Sequence, residues 1–254
     1  MEKLRVLSLF AGIGGFDLGL RWAGGFETVA VCEIGPFPRR VLAKHWPGVP
    51  IYDDVRDLTG ARLATDGIAV DVICGGFPCQ DISTSGHKTG IDGERSGLWS
   101  EYARLIRELR PKFVIVENVA ALLSNGMGRV LGDLAAIGYD AEWDGLPAWF
   151  VGCPQSRDRI WVVAYPQGIG CQAVFEELRI LHSSSFGGAG FAGDHRLGHA
   201  SHSEGILWPV EPSLVRVADG FPDRVDRIRG LGNAVVPQVV TLIGRAILQS
   251  RAAP

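Results

Sequence analysis

The segment GGFPCQDIS places Cys79 directly after Pro78 in a glycine-led turn. Proline fixes the backbone before the cysteine, and a turn at a strand end leaves the sulfur accessible. Nucleophilic addition needs both conditions, whereas core packing needs neither. Cys32, Cys74, Cys153 and Cys171 lack such a context and read as packing cysteines. Two more groups complete a reactive set. Glu117, in ENV at 117–119, follows an apolar run, and a partly desolvated carboxyl there would hold a proton near neutrality, as a general acid must. Arg157 and Arg159, in QSRDR at 155–159, share one face if the segment is extended and suit a carbonyl or a phosphate. A thiol, an acid and a cation together describe covalent addition to an electron-poor ring or carbonyl.

A second group of residues has the chemistry of nucleotide binding. LFAGIGGFDLG follows one apolar run and precedes a helical pattern, so Phe10, Ala11, Gly12, Gly14 and Gly15 form a loop that a ligand backbone can approach closely. The loop lacks full G-x-G-x-x-G spacing. Glu33 closes the next run, where an acidic side chain accepts from ribose hydroxyls in α/β nucleotide folds. Asp53 and Asp54 follow a third run, and either could accept from an adenine amino group. His195, His199 and His202 have ligand-like spacing but sit among glycines and serines with no helix to fix them, so no metal is expected.

The elements that must position these groups alternate. Residues 5–10, 28–31, 50–52, 70–74 and 113–116 read as buried strands, with 139–146 and 160–164 as further strands. Helical spacing falls at 18–22, 39–46 and 98–109, and the stretch from 237 onward reads as an amphipathic terminal helix. The polar stretch 81–97 reads as an exposed loop that is mobile without a ligand. Residues 166–222, rich in Gly, Ser and His, show little periodicity and read as a loop-rich lobe. Strands ending in polar loops place ligands at the carboxyl edge of an open α/β sheet.

In order, FAGIGG, Glu33, the Asp53-Asp54 turn, GGFPCQ, ENV, QSRDR and GLGNAVVPQ resemble the motif set of the bacterial and phage DNA cytosine C5 methyltransferases. The resemblance covers 4–165 and 224–248. It implies a Rossmann-like class I methyltransferase sheet with helices on both faces, a catalytic domain at 1–165 and 223–254, and a short target-recognition region at 166–222. It further implies that S-adenosylmethionine is the cofactor: Phe10 would stack on its adenine, Glu33 would hold the ribose and Asp54 would meet the adenine amino group. Asn233 and the adjoining Ala234 would hold the methionine end. Cys79 would be the nucleophile and Pro78 its orienting neighbour. Glu117 would meet N3 and the exocyclic amine of cytosine, Arg159 would meet O2, and Arg157 would support the loop. The stretch 81–97 resembles the family's closing loop, with Ser83 and Ser85 at the vacated base stack and Lys88 and Arg95 at phosphates.

Composition sets this resemblance in context. The 254 residues are 46% hydrophobic, enough for one substantial core. The net charge of −3 gives no general basic face, so duplex DNA must be met by local clusters. RVDRIR at 224–229, with Arg224 and Arg227, is the best of these. The odd, unpaired cysteines point to a reducing, cytoplasmic setting. No signal peptide or membrane-spanning run is expected. The resemblance implies a monomer acting on duplex DNA, with a restriction endonuclease as a separate functional partner. Two other functions share these residues: an RNA cytosine methyltransferase, and a catalytically impaired DNA-binding homologue suggested by the short recognition region.

Overall fold

A computed structural model describes residues 2–78, 97–153, 155–168, 174–186 and 223–251. Cys79, Ser83, Ser85, Lys88, Arg95 and Cys171 lie outside the described residues, as do 187–222 with the three spaced histidines.

Seven strands form one sheet in the order β3-β2-β1-β4-β5-β7-β6. They are β1 (Leu4–Leu9), β2 (Phe26–Cys32), β3 (Ile51–Tyr52), β4 (Val72–Gly75), β5 (Phe113–Val119), β6 (Tyr139–Leu146) and β7 (Arg159–Pro166). The first five run parallel, and β7 is antiparallel to both its neighbours. Central strands such as LRVLSL and VICG are apolar at almost every position because helices cover both faces. Beneath α4 (Leu98–Leu109) and α6 (Met127–Ile137) lies one core, with Trp99, Tyr102, Leu105 and Leu134. The opposite core lies beneath α1 (Gly15–Ala23), α7 (Val174–Phe186) and α9 (Pro237–Ser250), with Phe16, Leu20, Leu178 and Ile243. The expected doubly covered α/β sheet is therefore what forms. Short helices α2 (Pro36–His45), α3 (Gly60–Thr65) and α5 (Leu122–Asn125) complete the connections.

The last helix is held against the first by a missing side chain. A Cβ on Gly19 would lie 2.5 Å from the Pro237 carbonyl oxygen and 2.5 Å from Val240 Cβ. Without one, α1 and α9 approach closely enough for the Thr241 hydroxyl to donate to the Gly19 carbonyl at 3.1 Å. An 18-residue window within residues 225–250 has a mean hydropathy of 1.5 and would be long and apolar enough to cross a membrane by length and composition alone. These residues form two helices, however: α8 (Arg224–Asn233) and α9, parted at Ala234–Val236. The apolar face of α9 is spent on the core, where Val239, Val240, Ile243, Ala246 and Ile247 are buried.

Two stretches differ from the sequence reading. Residues 174–186, placed in an irregular lobe, form α7, whose Val174, Phe175 and Leu178 join the core beside α9. Glu142 of β6 receives its first-turn amides Val174 N and Phe175 N at 3.4 and 3.5 Å. The basic segment at 224–229 is likewise helical, in α8.

Asp17, in the first turn of α1, is fully buried. Its carboxylate accepts from the hydroxyls of Ser8 at 3.1 Å and Thr28 at 2.9 Å, tying α1 to β1 and β2. Burial outweighs both bonds and pushes its pKa from 3.8 up to about 6. Because the folded state then binds the proton more tightly, this residue's contribution to stability is full below about pH 4 and falls as pH rises through about 6. That difference corresponds to roughly 3 kcal/mol. Asn can bond to both hydroxyls without carrying charge. The unfolding free energy of Asp17→Asn, relative to the wild type, should therefore improve by a few kcal/mol between pH 3.5 and 7 in urea titrations. A pH-independent difference would show that Asp17 does not titrate in this range.

Candidate active site

Strand order reverses beside β1, so the loops after β1 and β4 open a crevice at the carboxyl edge of the sheet. The first loop is locally strained. Phe10 has φ 52, unusual for a residue with a side chain, and Gly12 follows at φ 55. Gly12 N donates to Glu33 Oε2 at 2.8 Å and Gly35 N to Glu33 Oε1 at 2.7 Å. Half-buried Glu33 thus braces the β1 loop against the β2 loop, and each oxygen keeps a further acceptor site. At Gly12 a Cβ would meet nothing nearer than the Phe10 carbonyl oxygen at 4.0 Å, so open space adjoins this backbone.

An aromatic row links that loop to the next. The Phe10 ring stacks on Tyr102 of α4 with centroids 6.4 Å apart, Tyr102 on Trp99 at 5.6 Å, and Trp99 packs on Phe77 at 5.4 Å. Trp99 is pinned by its indole donating to Asp133 at 2.9 Å, and Tyr102 by donating to the Ile115 carbonyl at 3.1 Å. Phe77 precedes Pro78, the last described residue before Cys79. Sequence reasoning missed this row, although the spacing of Trp99 and Tyr102 on a predicted helix was a usable signal.

The β5 edge brings the acid and the cation together. The expected strand end at Val116 falls short, because β7 gives β5 an antiparallel partner that continues the ladder to Val119. Glu117 lies opposite Trp161 and Val119 opposite Arg159, so Glu117 and Arg159 are diagonal neighbours on one face. Arg159 Nε meets Glu117 Oε1 at 2.9 Å, with the glutamate side chain 11% exposed. Desolvation raises the Glu117 pKa, against the pull of Arg159 and Arg157. The carboxylate needs Gly76 beside it, since a Cβ there would stand 2.5 Å from Glu117 Oε2. Asn118 lies within β5, and its amide donates to the Phe77 carbonyl at 3.2 Å, which ties the loop leading to Cys79 to the strand bearing Glu117.

The remaining expected residues fall into place unevenly. Arg157 donates through Nη1 to the Gly232 carbonyl at 2.9 Å and through Nη2 to that of Ala234 at 2.6 Å, so QSRDR is joined to the GNA segment containing Asn233. Burial lowers the pKa of this guanidinium. Asp54 is bound by Arg56, whose Nε donates to both carboxylate oxygens at 2.9 and 3.1 Å, and this contact lowers its pKa. Asp53 is exposed and pairs with Arg39. Arg227 is exposed on α8, as is the backbone around Asn233. Arg224 begins the same helix. Cys32 and Cys74 are buried as expected of packing cysteines, and burial pushes the Cys32 thiol up to about 12.

The model of C-5 cytosine-specific DNA methylases matches residues 4–184. The chain belongs to the C-5 cytosine-specific DNA methylase family. Among its relatives, the type II methyltransferase M2.BsuMI of Bacillus subtilis (strain 168) is 37% identical over 169 residues, covering 63% of this chain and 42% of the relative. The orphan methyltransferase M.SPRI of Bacillus phage SPR is 34% identical over 170 residues, covering 64% and 38% respectively. The chain thus spans about two fifths of the length of these curated relatives. A solved structure described as a DNA modification methyltransferase encoded within an E. coli prophage superposes with a TM-score of 0.56 at 26% identity, covering 66% of this chain and 48% of that one. The S. pombe Dnmt2 methyltransferase shares the fold, with a TM-score of 0.55 at 22% identity over 65% of this chain and 51% of that one.

Removing Arg159 would leave a carboxylate buried without its cation, which costs more than the pair contributes. Arg159→Ala should therefore lower stability by about 3 kcal/mol at pH 8, and by progressively less as pH falls and Glu117 protonates. Adding Glu117→Gln should recover most of that loss. Equal losses in the single and double variants, measured by urea denaturation, would show that the pair is not coupled.

Proposed function

We propose that this chain transfers a methyl group from S-adenosylmethionine to carbon 5 of a cytosine in duplex DNA, through a covalent adduct with Cys79. The observation that carries this reading is the desolvated Glu117 paired with Arg159, on the strand that Asn118 ties to the loop leading into Cys79.

The crevice suits the cofactor by its chemistry: open space adjoins the Gly12 backbone, and Glu33 stands at the end of β2 with acceptor capacity left. When bound, the cofactor supplies an electrophilic sulfonium methyl. Phe10, Ala11, Gly12, Gly14 and Gly15 line its loop, Glu33 takes the ribose, and Asn233 and Ala234 take the methionine end. Asp54 meets the adenine amino group through acceptor sites that Arg56 leaves free, with Asp53 beside it.

The protein's own groups account for the remaining steps. The Cys79 thiolate forms a bond to carbon 6 of cytosine, and the electron pair of the 5,6 double bond moves toward carbon 5 and the N3–O2 side. Glu117, whose affinity for a proton is raised by burial, donates at N3, and Arg159 stabilises the charge on O2. Carbon 5 then takes the methyl. Loss of the carbon 5 proton to a base expels the Cys79 thiolate from carbon 6, and the N3 proton returns to Glu117, which restores the neutral aromatic ring. Pro78 fixes the approach of the thiolate, and Arg157 supports the loop bearing Arg159.

A stacked cytosine offers neither face to these groups, so it must rotate out of the duplex. Ser83 and Ser85 take the vacated space, Lys88 and Arg95 meet phosphates, and Arg224 and Arg227 on α8 add a basic edge. Residues 166–222 recognise the target sequence. The protein works in the cytoplasm as a monomer, independently of any endonuclease protecting or attacking the same sites.

Methylation of mixed-sequence DNA followed by bisulfite sequencing tests the whole reading. Protected cytosines within one sequence context are expected with the wild type. Cys79→Ala should lower the rate at least about 10⁴-fold and abolish the adduct with duplexes carrying 5-fluorocytosine. Protection of transfer RNA with none of DNA would reassign the substrate. Cofactor binding with neither protection nor adduct would remove the enzymatic reading.

A further inference from the structure

Arg157 carries two features that folding alone does not favour. Its backbone lies at φ 34, in the left-handed region that a side chain disfavours, and its Nε is buried with no hydrogen-bond partner among the described residues. Each of its two terminal nitrogens donates to a backbone carbonyl, those of Gly232 and Ala234, which flank Asn233. A loop needing only to be closed could satisfy one carbonyl without strain. Bridging two carbonyls of a distant segment fixes the path of that segment.

The segment so fixed is packed from its other side by the β1 loop. A Cβ on Gly15 would lie 2.9 Å from Val235 Cγ2 and 3.1 Å from the Val235 carbonyl oxygen, so segment and loop touch directly. On the near side, Arg159 stands two residues beyond Arg157 and pairs with Glu117. The contacts are therefore continuous from the glycine loop, through residues 232–235, to Arg157, Arg159 and the buried carboxylate.

We infer that Arg157 is a positioning residue that couples the cofactor end of the crevice to the Glu117–Arg159 pair, so that filling the first orders the second. This rests on the proposed methyltransferase reading, in which Asn233 and Ala234 meet the cofactor. Arg157 itself touches neither cofactor nor base. It acts by keeping the QSRDR loop and the GNA segment in register, and its strain is relieved or maintained as that segment moves. The test is a measurement of that coupling.

Hydrogen exchange followed by mass spectrometry provides it, without DNA and without turnover. S-adenosylhomocysteine is added at saturation, as judged by calorimetry, and exchange is followed in the 155–159 loop and in the β1 loop. In the wild type it should slow exchange in both regions, by about tenfold at 155–159. In Arg157→Ala it should still slow exchange in the β1 loop, while the effect at 155–159 falls below about twofold. Arg157→Lys keeps a donor for one of the two carbonyls and should show an intermediate effect, which also covers an alanine variant that fails to fold. A merely structural role would raise exchange with and without ligand and leave the ligand-dependent difference unchanged. That result, or a wild type whose 155–159 loop ignores the ligand, overturns the inference alone. A flat calorimetric titration of the wild type overturns the cofactor reading and this inference together.

Discussion

The carboxyl edge of the sheet is arranged around one desolvated carboxylate. Glu117 is buried at the end of β5, a position that an isolated charge could occupy only at a cost of several kcal/mol. Its surroundings are what make it tolerable. β7 inserts antiparallel between β5 and β6, which brings Arg159 to the diagonal position. Gly76 leaves room beside the carboxylate, so that the loop after β4 can pass it. Burial then raises the carboxyl's affinity for a proton while the arginine keeps the charged form accessible, and the group is poised between the two. An all-parallel sheet would point the chain leaving its last strand differently and place no cation there.

The other half of the edge depends on the end of the chain reaching its beginning. Gly19 lets α9 lie on α1, and Gly15 lets residues 232–235 lie on the β1 loop. These contacts join residues more than two hundred positions apart, as in the Thr241–Gly19 bond. The loop-closure cost of such contacts rises only slowly with length. Burial of Val239, Val240, Ile243 and Ile247 under the sheet offsets it. The crevice is thus completed only when the terminal segment has docked.

Legibility in the sequence followed the range of the interactions. Strands β1, β4, β6 and helix α4 were readable because each is a local pattern of apolar residues, and the limits of α4 and β6 matched the periodicity. The place of Glu33 was readable because it directly follows a strand end. Helix α6 escaped because Gly128 and Gly132 dilute an otherwise periodic face of Met127, Val130, Leu134 and Ile137. Helix α7 escaped because its partners, β6 and α9, are remote in sequence. The buried state of Asp17 was invisible for the same reason: a carboxylate in a first helical turn ordinarily faces solvent near the helix dipole. Of the row from Phe10 through Tyr102 and Trp99 to Phe77, helical spacing reports the Trp99–Tyr102 step, while the steps to Phe10 and Phe77 join separate segments.

Glu33 and Asp54 show how far the crevice is organised in advance. Glu33 is already oriented by two backbone amides, so ligand binding there would reorganise little. Asp54 differs, because its two oxygens are held by Arg56, an exposed partner on an exposed turn. Ion pairs of that kind contribute little to stability and are screened by salt, so Arg56 serves to orient the carboxylate rather than to withdraw it. Arg56 N also donates to Oδ1 at 2.9 Å, so the acceptor capacity left for a ligand lies on Oδ2. The crevice therefore combines one rigid acceptor at β2 with one adjustable acceptor beyond β3. Both stand on half-buried side chains, so a ligand spanning them would be held at two separated points.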